Sequence, residues 1–304
     1  MIVEKVFRGK KWINVFNPTY EEVRSLMSEN RLDSDVAEEM RNPSLEPRIE
    51  RYADYLYIIL HFPAFKQSHS SSSLQEIDFI ISNDFLITVH YDVNESIQKF
   101  SKIIDVESVT KKVEIENPTF FLFFKMLNVL YDASYSEVKN FLDELKVIES
   151  KIFKGNEKEM VYKISELSRD LLEFKQIISS HKDVLKTLAK EWRLVFGDKG
   201  RNQIERLIAN YFRLKNEHHS LVDTMSELRE TNNSLLSTKQ NQIMMIFTIL
   251  AFITLPLSLI SSLFGMNTHS TPILGMENDF LIIIIGMVVV SGLLLLFFKL
   301  KKWL

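Results

Sequence analysis

The sequence contains no cysteine, which excludes disulfides, thiolate metal sites and cysteine nucleophiles. It also lacks a Walker-type phosphate loop. The one glycine-bearing turn that invites the comparison, "GDKGRNQ" (197–203), has no Gly-Lys-Ser/Thr ending. No nucleophile–base pair or metal-ligand cluster stands out, so an enzyme is not expected. A formal net charge of −3 gives no electrostatic case for nucleic acid. The N-terminus, "MIVEKVFRGKKWINVF", has no continuous apolar run, so no cleavable signal peptide is expected. Lysine and arginine are missing throughout 243–298, where Glu277 and Asp279 are the only acids.

What stands in that uncharged region is two apolar runs. Met244 to Phe264 reads "MMIFTILAFITLPLSLISSLF", and Phe280 to Phe298 reads "FLIIIIGMVVVSGLLLLFF". About 20 apolar residues at ~1.5 Å each span the hydrocarbon core of a bilayer. Two membrane helices, 242–264 and 280–298, are therefore predicted, joined by a loop over 265–279. Lys299, Lys301 and Lys302 follow the second span, Arg229 and Lys239 precede the first, and the loop has no basic residue. The positive-inside rule then puts both termini in the cytoplasm and the loop outside. The expected location is the cell (inner or plasma) membrane, with 299–304 as a basic cytoplasmic tail.

Residues 1–115 read as a mixed α/β domain. "WINVF", "DYLYIILHF", "EIDFIIS" and "DFLITVH" are strand-like runs, and Ser82-Asn83-Asp84 is a hairpin turn between the last two. "NPTYEEVRSLMSEN" starts a helix, capped by Asn17 or Thr19. "KQSHSSSS" (66–73) reads as a polar loop. From 116 to 241 the pattern is helical. It has no proline or glycine inside its long segments, and a break falls at 197–203. From Ile204 one helix of roughly 60 residues, ~90 Å long, continues into the first span. A helix of that length needs neighbours to bury its apolar stripe, and an oligomeric coiled coil supplies them. Inside the span Asn241, Met244, Thr248, Ala251, Leu255, Ser258 and Ser262 step by three and four, a heptad seam of small, hydroxylated and flexible residues. Such a seam either packs dry against other helices in lipid or lines a narrow wet path around a symmetry axis.

The stretch "NQIMMIFTILAFITLPLSLISSLFGMN" (241–267) resembles the first transmembrane helix of the CorA family of magnesium transporters. The shared features are the Asn with Met three residues on, the Pro-Leu-Ser, the aromatic-Gly-Met-Asn and the second span soon after. "WINVFNPTYEEV", "EIDFIISNDFLITVH" and "YFRLKNEHH" are similar to the family's cytoplasmic domain and stalk, in the right order. The resemblance implies an α+β chain: an N-terminal α/β cytoplasmic domain, a long helical stalk and two C-terminal membrane helices, assembled as a homopentameric funnel. It implies Gly265, Met266 and Asn267 as the selectivity motif, Asn267 holding a hydrated Mg²⁺ through its water shell. It places Asn241, Met244, Thr248, Leu255 and Ser258 along the pore, with Phe247 at the hydrophobic constriction. The partners are then other copies of the chain, lipid and divalent cations. No cofactor is implied beyond the divalent cation, as transported and regulatory ion. The family's acidic stalk position is Leu214 here, Phe264 replaces a tyrosine, and "THSTPILGMENDF" lacks the family's Met-Pro-Glu. Leu214 puts the regulatory metal site of other members in doubt.

Other constellations have two readings each. Glu277 and Asp279 either solvate the loop or concentrate cations at the pore mouth. Gly265 is either an ordinary helix cap or a close-approach residue. "LDSDVAEEM" (32–40) lacks the sixth-position glycine and the bidentate glutamate of a calcium loop and reads as a solvated helical face. His218 and His219 point about 100° apart on a helix and cannot readily share a metal. The expected function is influx of a divalent cation, Mg²⁺ foremost. The alternatives are Co²⁺, Ni²⁺ or Zn²⁺ (the last with proton coupling), or a membrane-anchored coiled-coil scaffold without transport.

Overall fold

The computed structural model describes residues 1–44, 46–63, 74–109, 115–266, 273, 278–301 and 303. The polar loop expected at 66–73, together with Asn267, Glu277 and Lys302, lies outside the described residues. Two compact units emerge, Met1–Arg229 and Glu230–Leu304.

The first unit opens with strands β1 (Ile2–Phe7) and β2 (Lys10–Phe16), then helices α1 (Tyr20–Asn30) and α2 (Ser34–Glu39). Strands β3 (Arg48–Arg51), β4 (Tyr55–Pro63), β5 (Leu74–Ser82) and β6 (Phe85–His90) follow. They form a six-stranded sheet in the order β1-β2-β6-β5-β4-β3. Only β2 and β6 pair in parallel; the remaining neighbours are antiparallel. The β1–β2 turn falls on Arg8 and Gly9, both left-handed (φ 50° and 81°), as a two-residue hairpin requires. At the β5–β6 turn the Ser82 hydroxyl accepts from the amides of Asp84 and Phe85. Thr19, rather than Asn17, caps α1, and its reciprocal partner is Glu22.

Both faces of this sheet are covered, so β4 is buried along its whole length and its sequence shows no alternation. One face, including Ile13, Val15, Tyr57, Ile59, Ile80 and Val89, packs under Val23 and Leu26 of α1 and Val36 of α2. The other face meets α3 (Glu95–Val109), α4 (Pro118–Phe153) and α5 (Glu157–Phe196). There Trp12 packs edge-on to Phe100 and Phe79 edge-on to Phe123. The "FFLFF" run is packing, as expected: Phe120, Phe123 and Phe124 surround Trp192, whose indole N–H donates to the Lys199 carbonyl. Asn117 caps α4 by accepting from the amides of Thr119 and Phe120, with Pro118 at the first helical position.

Helix α6 (Arg201–Gly265) is continuous over 65 residues. In the first unit its buried side chains are Ile204, Leu207, Tyr211, Leu214, His218, Leu221, Met225 and Leu228, again a three-four spacing. The sequence argued that other copies of the chain would cover this stripe. The protomer covers it instead. Asn210 donates to Asn128 of α4, Arg213 to Tyr135 of α4, His218 to the Leu171 carbonyl of α5, and Arg229 to Ser168 of α5. Two long helices precede α6 in sequence and are long enough to flank it, so no second chain is needed for that stripe.

Candidate functional site

The second unit contains the C-terminal half of α6 and helix α7 (Asp279–Leu300). Both are long and apolar enough to cross a membrane. Large apolar side chains on them, Ile246, Leu250 and Leu259 on α6 and Ile285, Val288 and Leu293 on α7, lie exposed in the protomer, the pattern suited to lipid or other helices as solvent. Pro256 sits inside α6. It removes one helical N–H, a defect that membrane helices tolerate.

One face of α6 is covered within the unit. Met245, Ile249, Ile253, Pro256, Leu257, Ile260 and Phe264 are buried or half-buried. On α7 the matching stripe is Ile283, Met287, Val290, Leu294 and Phe298. Phe252 meets Phe298 edge-on at 6.2 Å, and Ser261 Oγ lies 3.8 Å from Met287 Sδ. Phe298 also stacks on Trp303, whose backbone N–H closes the end of α7 on the Phe298 carbonyl.

The seam read from the sequence lies on the other side. Asn241, Met244, Thr248, Ala251, Leu255, Ser258 and Ser262 are all exposed, as is Phe247. At ~100° per residue the seam and the α7-facing stripe are centred roughly 150° apart. α7 therefore takes one side of α6 and, among the described residues, leaves the hydroxylated side exposed. The Thr248 hydroxyl donates to the Met244 carbonyl at 2.8 Å. That bond satisfies its proton and leaves its lone pairs outward.

Gly265 ends α6. It is not among the glycines with positive φ, so it ends the helix without a left-handed conformation. A Cβ built on it meets nothing within 4 Å in the protomer. Among the described residues, neither its backbone angle nor packing demands glycine there. Met266 is exposed. Asp279 opens α7, and its Oδ1 accepts from the Phe280 amide at 2.7 Å. It thus places a negative charge at a helix start.

With this arrangement in view, residues 8–301 match the family described as CorA-like Mg²⁺ transporter protein. The chain belongs to the CorA family. It is 26% identical over 294 residues to the cobalt/magnesium transport protein CorA of Methanocaldococcus jannaschii, covering 96% of this chain and 90% of that protein. It is 23% identical to the protein of the same name from Thermotoga maritima, over 88% of this chain and 76% of that one. Among solved structures, the complete CorA magnesium transporter from M. jannaschii superposes with a TM-score of 0.84. That match has 24% identity and covers 97% of this chain and 92% of that one. The CorA fold read from the sequence is thereby shown, and CorA is a family of transporters.

The remaining sequence candidates resolve into structural roles. Asp33 accepts from the Tyr55 hydroxyl at 2.7 Å, and Glu39 pairs with Arg48. Among the described residues no group of three His, Asp or Glu side chains could hold a metal. His218 is buried in the helix bundle of the first unit, stacked on Phe174, and burial lowers its pKa. His219 is exposed, 3.9 Å from Asp223. Leu214, at the family's acidic position, is fully buried.

Proposed function

We propose that this CorA-family protein conducts Mg²⁺ into the cell through a path formed by several copies of α6. The observation that carries the reading is the division of α6 into an α7-facing side and an exposed, hydroxylated seam that runs up to Gly265 and Met266, directly before Asn267 in the sequence. A homopentamer, the assembly the family resemblance implies, would gather five seams around one axis. Asn241, Thr248 and Ser258 would then meet water, with Met244, Phe247 and Leu255 as the apolar constriction that closes by dewetting. Five Asn267 amides at the outer end would bind Mg²⁺ through its hydration shell. Mg²⁺ gives up water reluctantly, and neutral amides hold it weakly enough to release it. Glu277 and Asp279 raise the local cation concentration at that mouth.

The membrane potential drives the flux. An inside-negative 100 mV contributes about 2.3 kcal/mol per charge, hence ~4.6 kcal/mol for a divalent ion. Both termini face the cytoplasm in this arrangement, at the cell membrane. Co²⁺ is the second cargo to consider, because the relatives from M. jannaschii and T. maritima are named for cobalt as well as magnesium. A proton-coupled zinc carrier remains the third.

The test is uptake of Mg²⁺, Co²⁺ and Zn²⁺ into liposomes holding the purified protein, with and without a pH gradient. Asn267→Ala is the paired control. The reading expects Mg²⁺ uptake that follows the potential, ignores the pH gradient and falls at least tenfold in the variant. Unchanged uptake in Asn267→Ala would refute the amide collar. No uptake of any ion would favour the scaffold.

A further inference from the structure

Strand β5 carries Glu76 and Asp78 two residues apart, so both side chains leave the same face of the sheet. Asp78 is 0% exposed and Glu76 6%. Two tyrosine hydroxyls donate to Asp78 Oδ2, Tyr57 at 3.0 Å and Tyr91 at 3.4 Å. Glu76 Oε2 lies 3.0 Å from His61 Nε2. The same nitrogen is 2.9 Å from the Ser44 carbonyl. Both of its neighbours are acceptors, so Nε2 carries a proton and donates to them. Among the described residues, one oxygen on each carboxyl, Asp78 Oδ1 and Glu76 Oε1, has no donor.

Buried acceptors are rarely left without a donor, and two adjacent buried carboxylates do not both stay ionised. A single proton between the two orphan oxygens removes both difficulties. Glu76 Oε2 already accepts from His61 Nε2, and Asp78 is the more deeply buried of the two carboxyls, so the proton belongs on Asp78. We propose that Asp78 Oδ1–H donates to Glu76 Oε1, and that this shared-proton pair makes the N-terminal sheet a proton-binding site responsive to the pH around the domain.

The electrostatics agree. Burial, and then the Glu76 charge, push the Asp78 carboxyl well above the usual carboxylate range, against the pull of the tyrosines. The facing groups are Tyr57 and His61 on β4, Glu76 on β5, Tyr91 after β6, and Glu39 of α2, which is paired with Arg48 of β3 beside Glu50. Burial raises both tyrosines, so they stay protonated and donate to Asp78. Asp78 binds its proton more tightly folded than unfolded. Its contribution to stability is therefore complete below the unfolded carboxylate pKa and is lost as pH rises through the folded value. The pair is independent of the ion path proposed above.

The test is infrared difference spectroscopy and thermal unfolding of the full-length protein in detergent across pH. At neutral pH the wild type should show the deuterium-sensitive carbonyl band of a protonated carboxylic acid. That band should disappear on alkalinisation, and Tm should fall as pH rises above the unfolded carboxylate range and level off where the band is lost. In Asp78→Asn the amide donates to Glu76 and still accepts from the tyrosines, so the band should be missing and the alkaline fall in Tm flattened. Glu76→Gln removes the neighbouring charge and should lower the pH at which the band disappears by about one unit or more. No band in the wild type at neutral pH, or a band that survives in Asp78→Asn, overturns the proposal. If Asp78→Asn does not fold, an unchanged midpoint in Glu76→Gln overturns it.

Discussion

His181 shows how much one side chain ties together. It is fully buried, accepts from the Tyr131 hydroxyl of α4 at 2.8 Å through Nδ1, and donates through Nε2 to the His61 carbonyl of β4 at 2.6 Å. The two bonds fix its neutral tautomer. Burial lowers its pKa from 6.5 to about 4. The unfolded chain thus binds more protons between those values. The His181 contribution is complete above pH 6.5 and is lost as pH falls toward 4, a swing on the order of 3 kcal/mol. His181→Leu should lower stability by about 2–4 kcal/mol at neutral pH and flatten the acid limb of a Tm-against-pH curve. An unaltered acid limb would contradict this reading. Leu214 gives a second residue-scale expectation. Because it faces the protomer's own helix core, Leu214→Asp should destabilise the protein by roughly 3 kcal/mol or more. A thermal shift assay should show no recovery on adding Mg²⁺; full recovery would mean that the position belongs to a metal site after all. Little of the residue-scale detail was legible in advance. Glu76 and Asp78 alternate with Ile77 and Phe79, a pattern that reads as a solvent-facing side, and only the helices over both faces of the sheet reveal them as buried.

At the scale of elements, the strong patterns carried through and the weak ones did not. The long helices, the β5–β6 hairpin and both apolar spans were legible because periodicity or sheer apolar length set them apart. β1 and β3 were not read, since their short, charged sequences offer no such signal and tertiary packing decides them; α3 was missed although its buried Ile97, Phe100 and Ile104 step by three and four. The α1 cap narrowed from two candidates to Thr19 because only Thr19 has Glu22 at the reciprocal position. Thr19→Ala should cost about 1 kcal/mol, read as a lower Tm, whereas Asn17→Ala should not remove that cap. α6 is the element the sequence half described. Its seam in the span was visible, but its stripe in the first unit was assigned to other copies of the chain when α4 and α5 already cover it.

For the whole molecule, the family and fold were legible from the motifs in order along the chain, while assembly and ion identity were not, because they depend on copies and cargo that one sequence does not contain. The proposed pentamer sets one expectation: native mass spectrometry of the detergent-solubilised protein should give five times 35.6 kDa, and a monomer would remove the shared axis. The sharpest measurement uses the chain's lack of cysteine, which makes every introduced thiol the only one. Single cysteines would be placed along α6 at Asn241, Thr248, Leu255 and Ser258 on the seam, and at Ile253 and Ile260 on the α7 side. Each variant in liposomes would then be treated with a charged, membrane-impermeant thiol reagent while Mg²⁺ uptake is recorded. A wet central path requires that the seam cysteines react and block uptake while Ile253→Cys and Ile260→Cys stay silent. Silent seam positions in protein that still takes up Mg²⁺ would contradict it.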